Sequence, residues 1–339
     1  MMVHSSAPLR VDFAGGWSEL AAHSGRESGT VVNAAITLEA RVDFLLGDGR
    51  IRLRAEDTGD RATVESSGLL TYDGKLDHHK AALNMLPVTG GIELLSQSDA
   101  PLGSGLGSGA LNVALLAGLA RCRQEDYDNT ELAELGFMLE TSELGLFAWK
   151  QDQYAAAFGG FLELKLEQDE AKLRRLLLTS EAAAELAQHT ILAYTGHSHF
   201  NRQTYGRVLA AFEAGDPAVV AAIRATNDVA REVAAVLESA DWQRLATLVD
   251  EDGQNQQSLD AAMVTPETAR IEAAARAAGA WGLKPVGPGA GGCLLVVCSP
   301  NQRANVTAAV AAGGGTILGF DFTSEGVAVW QQPDAVDQP

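Results

Sequence analysis

Cysteine is scarce: the 339 residues contain only Cys122, Cys293 and Cys298, with no CxxC pairing and no zinc-ligand spacing. An odd, sparse set of this kind argues against a disulfide framework and fits a reducing cytoplasm. Basic side chains are also in deficit, because 25 Lys and Arg against 44 Asp and Glu leave a formal charge of −19. A phosphodiester backbone is held by clustered Lys and Arg, and no such cluster occurs, so no nucleic-acid partner is expected. The acidic surface likewise disfavours anionic membranes. No apolar run approaches the ~20 residues of a membrane span. The start, MMVHSSAPLRVDFAGG, lacks the basic and apolar stretches of a secretory signal. These absences lead to the expectation of a cytoplasmic protein without a membrane partner. No solenoid-period repeat is present, and nothing in the pattern decides between a monomer and a homodimer.

What is present is a globular composition, 46% hydrophobic, at a length that suits two domains or one large one. Strand patterns are expected over 30–46, 50–55, 91–96 and 159–166, and helices over 110–122 and 131–145. A charged, helix-favouring stretch, 166–188, lies near the expected boundary between units 1–180 and 181–332. Beyond it come a buried strand at 190–196, helices near 203–215, 217–239, 242–250, 266–279 and 301–312, and strands at 280–286, 293–298, 315–321 and 326–330. The tail QQPDAVDQP is expected to fray. Strands and helices in this order predict an α+β architecture.

Glycine carries the most information. PLGSGLGSGALNVALLAGL (101–119) places Gly103, Gly105, Gly107 and Gly109 in seven positions, immediately before a helix that starts near Ser108. Such a loop can turn successive N–H groups inward, and the helix N-terminus adds a positive dipole end, so one reading is a phosphate cradle. The other is a flexible Gly/Ser turn ahead of a core helix. A Walker A loop is excluded, since no lysine occurs between Lys80 and Lys150. The dinucleotide fingerprint fits neither the glycine order nor the strand pattern. Two further clusters, FAGGW (13–17) and KPVGPGAGGCLLVV (284–297), make unrelated turns a poorer account of all three.

With those residues in view, the chain resembles the GHMP small-molecule kinases, named for galactokinase, homoserine kinase, mevalonate kinase and phosphomevalonate kinase. APLRVDFAGGW is similar to the first family motif, PLGSGLGSGALNVALL to the second and VGPGAGGCLLV to the third, in the family's order and across essentially the whole chain. WKQDQYAAAFGGF (149–161), FAGGWSEL (13–20) and AYTG (193–196) are similar to the branch of heptose-7-phosphate kinases and bacterial fucokinases. The resemblance implies a ribosomal-protein-S5-like N-terminal, ATP-binding domain (1–180), a ferredoxin-like C-terminal domain (181–332) and an active site between them. It also implies ATP with Mg²⁺ and a small-molecule sugar as acceptor.

Residue by residue, the resemblance implies the following roles. Asp152, in QDQ, takes the proton of the attacking hydroxyl. Arg10 pairs with Asp152 and offsets charge on the transferred group. Pro101, Gly103, Ser104, Gly105, Leu106, Gly107, Ser108 and Gly109 wrap the ATP phosphates. Gly15, Gly16, Trp17, Glu19, Gly196, Gly289 and Gly291 bind substrate, with Glu19 standing where relatives usually carry an aspartate for sugar hydroxyls. A core tryptophan is the plainer reading of Trp17, and Lys150 ranks below Arg10. Glu140 fits the magnesium-binding glutamate, but the partner serine is replaced by Gly109, leaving the adjacent Ser108 to supply a hydroxyl. His199 stands near a position where relatives often have arginine, which favours an unphosphorylated acceptor. His197 and His199, like His78 and His79, are read as polar lining or surface. The expected activity is phosphoryl transfer from ATP to a sugar hydroxyl, the anomeric one. The alternatives are a degenerate relative that binds nucleotide or sugar without transfer, and a kinase for a non-sugar alcohol.

Overall fold

The computed structural model describes residues 2–25, 27–47, 49–65, 68–168, 170–198 and 202–332. Among them, the strands are β1 (Met2–Ala14), β2 (Gly29–Leu46), β3 (Arg50–Ala55), β4 (Arg61–Glu65), β5 (Ile92–Ser98), β6 (Phe161–Glu167), β7 (Glu170–Arg175), β8 (Thr190–Tyr194), β9 (Ala280–Pro285), β10 (Cys293–Cys298), β11 (Thr316–Leu318) and β12 (Ala328–Gln332). The α-helices are α1 (Ser18–His23), α2 (Asp77–Met85), α3 (Gly109–Arg123), α4 (Asn129–Met138), α5 (Gln151–Phe158), α6 (Ser180–His189), α7 (Arg202–Glu213), α8 (Pro217–Ser239), α9 (Trp242–Gln257), α10 (Pro266–Ala277) and α11 (Arg303–Ala312).

The larger sheet runs β12-β1-β2-β5-β3-β4, with β6 on the first part of β2 and β7 on β6. Its β3–β5 pair is parallel. The smaller sheet, β11-β8-β10-β9, is antiparallel throughout. This is the expected α+β architecture. α3 is small and apolar nearly all round because it lies inside the main core; eleven of its residues are buried. The Ile191, Ile271, Leu283, Leu294, Val296, Val306 and Val310 side chains form a separate core where α10 and α11 cover the second sheet. α9 lies against β9 and touches β1, and the end of β1 at Asp12 lies beside the end of β9 at Lys284.

Several local expectations are corrected. The stretch 166–188 is not continuously helix-favouring in effect: Glu170–Arg175 forms β7, and a helix begins only at Ser180, where Thr179 Oγ1 accepts the Ala182 N–H. Ala171 and Leu173 turn inward while Glu170, Lys172 and Arg174 face solvent, so alternation and the unpaired edge of β6 overrule the helix propensity of the charged residues. The helix expected over 131–145 stops at Met138 and continues as a π-helical turn, Leu139–Glu143. The tail does not fray from its start, since Gln331 and Gln332 pair with Val3 and Met2; residues 333–339 lie outside the described ones. β12 thus joins the first sheet, whereas the sequence division groups it with the second unit. The three cysteines are free thiols. Among the described residues no helix is long and apolar enough to cross a membrane.

Candidate active site

The three glycine clusters converge. Leu106 O accepts the Arg10 N–H at 3.1 Å, tying the 101–109 loop to β1, and Ser104 O accepts the Cys293 N–H at 2.7 Å, tying it to β10. Pro101 closes the loop's first turn by accepting the Ser104 N–H at 3.1 Å. No side chain caps the start of α3 at Ser108, and the Leu111 amide turns back to Ser108 O at 3.1 Å, so no side chain competes for the amides at the start of the helix. Gly107 takes φ +111°, a conformation that suits glycine, and a Cβ there would stand 3.3 Å from Asp152 Cγ and 3.5 Å from Oδ2. The loop and the expected base are therefore neighbours.

Asp152 sits in the first turn of α5 with its side chain 20% exposed. Its Oδ1 accepts from Arg10 Nε at 2.8 Å and Nη2 at 2.7 Å. Arg10 Nη1 donates to Gly105 O at 2.7 Å and to Asp12 Oδ1 at 3.3 Å. All three guanidinium nitrogens are thus engaged within the protein, which makes Arg10 a holder of Asp152 more than a contact for a transferred group. Sequence reasoning missed what lies behind it. Asp12 Oδ1 also accepts the Gly287 N–H at 2.7 Å, and its Oδ2 pairs with Lys284 Nζ, which reaches Asp252 Oδ2 at 3.2 Å. Asp252 Oδ1 accepts the Gly15 N–H at 3.2 Å. A buried chain of alternating charge, Asp152–Arg10–Asp12–Lys284–Asp252, therefore joins β1, α5, α9 and β9. Burial alone would lower the Lys284 pKa, but Asp12 and Asp252 outweigh it and raise it. Burial would raise Asp12, yet Lys284 and Arg10 bring it below its ordinary value. No local pattern in the sequence marked these residues: Asp12 and Lys284 lie on strands and Asp252 on α9.

Glu19, on α1, is 2% exposed; its Oε2 accepts from Gln151 Nε2 at 3.0 Å, and its Oε1 has no hydrogen-bond partner. Gly16 lies between Asp12 and Gln151, because a Cβ there would stand 3.6 Å from each. Burial, and after it the Asp152 charge, pushes the Glu19 carboxyl well above its ordinary 4.5 against smaller opposing effects of Gln151 and Arg10. A carboxyl that binds its proton more tightly when folded favours folding below its unfolded value, and the advantage is lost as pH rises through the folded value. Glu19→Gln is therefore expected to gain stability relative to the wild type as pH rises above the ordinary carboxyl range, by about 1 kcal/mol at neutral pH. Urea midpoints measured across that range check this, and a difference that stays flat with pH counts against a proton held on Glu19.

The hydroxyl absent at 109 is present one residue earlier. Ser108 Oγ donates to Glu140 Oε1 at 2.6 Å, and Gln153 Nε2 donates to Glu140 Oε2 at 2.6 Å. The π-helical turn carries Glu140 to this position. Gly109 is a packing glycine: a Cβ would lie 2.7 Å from Gln153 N and 2.8 Å from Asp152 Cβ, both on α5. Gly109→Ser is expected to destabilise the fold by about 1–3 kcal/mol by overpacking and to lower activity rather than raise it. Thermal denaturation and turnover together read the outcome; a gain in activity would make the residue a missing ligand.

Other expected residues are placed elsewhere. Trp17 is a core tryptophan: its Nε1 donates to Pro288 O at 3.2 Å and Tyr205 covers it at 4.9 Å between ring centroids. Gly289 faces Gln256 and Met263, Gly291 packs on the His197 and Ser198 carbonyls, and Gly196 lies exposed in that turn. None of the three has Glu19 or Asp152 among its nearest neighbours; the third glycine cluster backs the loop through Gly287, Gly292 and Cys293. Lys150 binds Glu134, at 2.8 and 2.7 Å, and not Asp152. His79 is a core histidine held to Ser96, its pKa lowered by burial to about 4, while His78 bonds Asn112 beside Glu140. His197 is exposed; His199 lies outside the described residues.

Against known proteins, the family model "GHMP kinases N terminal domain" matches residues 76–160 and "GHMP kinases C terminal" matches 233–316. The D-glycero-alpha-D-manno-heptose 7-phosphate kinase of Campylobacter jejuni is 29% identical over 97% of this chain and 99% of its own length. The mevalonate kinase of Pyrococcus furiosus is 26% identical over 97% of this chain and 98% of its own. The solved structure of a D-glycero-D-manno-heptose 1-phosphate kinase from Bacteriodes thetaiotaomicron superposes with a TM-score of 0.82 at 26% identity, covering 98% of this chain and 100% of that one.

Proposed function

The chain belongs to the GHMP kinases, and from that premise we propose that it transfers the γ-phosphate of ATP to a sugar hydroxyl, the anomeric one. The observation that carries the reading is the contact between the glycine loop and Asp152, with Glu19 bonded to Gln151, the residue just before it. The residues present fit the donor. The loop from Gly103 to Ser108 and the uncapped start of α3 would hold the polyphosphate, and the Ser108–Glu140 pair would hold Mg²⁺, which keeps waters for its remaining positions. Bound there, the nucleotide supplies the transferable phosphoryl group and the ion its charge neutralisation.

Asp152 accepts the hydroxyl proton on the carboxylate that Arg10 holds in place. Its Oδ2 lies toward Gly107, and Oδ1 is taken by the guanidinium. Glu19 Oε1 bonds a hydroxyl of the acceptor, which relieves the cost of a buried polar atom without a partner. The hydroxyl absent at 109 motivated a reading without transfer, and the Ser108–Glu140 pair would supply a ligand set in its place. The sugar over a non-sugar alcohol is favoured by the heptose kinase relative and by a carboxyl placed for polyol hydroxyls. Mg²⁺-dependent ADP release across a panel of free sugars tests the proposal. Retained nucleotide binding without release from any acceptor would overturn it.

A further inference from the structure

Beside Glu19 lies a cavity of about 300 Å³ that the loop and Asp152 do not use. This is near the lower end of small-molecule sites, about 300–1,000 Å³, and suits a few heavy atoms. Glu19 lines it, and Glu19 Oε1 is a buried polar atom without a hydrogen-bond partner. The opposite walls are C–H-rich. Phe147 and Trp149 meet edge to face at 4.6 Å, Tyr205 packs on Phe147 at 4.5 Å, and Leu166 also lines the cavity. Aromatic rings arranged in this way receive apolar edges and the C–H faces of sugars.

The charge on the walls is equally specific. Lys150 is the lysine among the lining residues, and both oxygens of Glu134 hold its Nζ, which also lies 5.2 Å from the Phe137 ring centroid. Among the described residues no arginine lines the cavity, and His23 is the remaining titratable group on its wall. A phosphate monoester carries about −1.5 to −2 and is recognised by arginine forks or cationic clusters. In this cavity it would meet the Glu19 carboxyl, with Asp152 close behind.

We propose that the cavity receives the end of the sugar remote from the reacting hydroxyl, and that it selects an uncharged, C–H-rich end, such as a deoxy or methyl-bearing carbon, over one that carries a phosphate. The inference rests on the sugar-kinase reading of the same site and narrows its acceptor. It runs opposite to what a relative named for a phosphorylated heptose would suggest.

The test is isothermal titration of the full wild-type chain with matched hexose, 6-deoxyhexose and hexose 6-phosphate in the gluco, galacto and manno configurations. ADP release is followed on the same samples. In the configuration that binds, the 6-deoxy sugar is expected to bind at least about tenfold more tightly than the 6-phosphate, because the phosphate gives up its hydration among aromatic rings where the lysine is already held by Glu134. Phe147→Arg, at a side chain 44% exposed, is expected to narrow or reverse that ratio without disturbing the fold. Equal or tighter binding of the 6-phosphate to the wild type overturns the selectivity and leaves the kinase reading standing. Binding by no member of any series overturns the assignment of the cavity. Binding with the expected ratio but without ADP release supports the cavity and overturns the kinase reading instead.

Discussion

Asp152→Asn is expected to lower kcat by about 10²–10⁴-fold, the usual span for losing a positioned acid–base group, while nucleotide affinity changes little. The expectation follows from what the substitution keeps. Asparagine has the shape of aspartate, and its Oδ1 still accepts from Arg10 Nε and Nη2. Gly107 and Gly109 still fit against the start of α5, so the loop that would bind phosphates is undisturbed. What disappears is the proton acceptor on the Gly107 side. Separating kcat from the nucleotide dissociation constant is therefore decisive. A large fall in kcat at constant affinity places proton transfer on Asp152. A fall in both would mean that the negative charge organises the loop, and a loss below about tenfold would assign deprotonation elsewhere.

The parts of this site that lie close together in sequence were legible, and the parts built across the fold were not. Glycines at 103, 105, 107 and 109 ahead of a buried helix announce a loop that approaches something closely, and the structure shows its middle pinned on two sides: Leu106 to β1, Ser104 to β10. QDQ marked Asp152 as the expected base only through the family resemblance, and α5, which places it beside Gly107, was not expected. Asp12, Asp252 and Lys284 were invisible because no local pattern distinguishes a charged residue facing a core partner some 240 to 272 residues away from one facing solvent. Gly109 illustrates the reverse error. Read as a ligand position, it looked like a defect; in three dimensions it is where two helix starts touch, and the hydroxyl of Ser108, which the sequence offered in its place, bonds Glu140. Trp17 followed its plain reading, since an indole with a carbonyl partner and a ring against Tyr205 needs no ligand to explain it.

Lys284 is where the second sheet acts on the first, and Lys284→Met is expected to destabilise the protein by about 3–5 kcal/mol, the cost of leaving a buried charge uncompensated. Removing the ammonium strands Asp12 and Asp252 in a region where both are almost fully buried. Of the two, Asp252 is the one whose carboxyl burial already raises despite Lys284, so it takes up a proton more readily. Adding Asp252→Asn to Lys284→Met is therefore expected to recover part of the loss, a coupling that urea midpoints of the two single variants and the double variant would show. Catalysis supplies a second readout that a purely structural lysine would not move. Asp12 steadies Arg10, and Arg10 holds Asp152, so a folded Lys284→Arg protein, which restores the charge in a bulkier fork, is expected to keep its stability better than its kcat. If kcat follows stability in proportion, with the acceptor KM and the pH profile unchanged, Lys284 serves the fold alone. A loss of kcat beyond the loss of stability makes the buried chain the means by which the C-terminal strand positions the base.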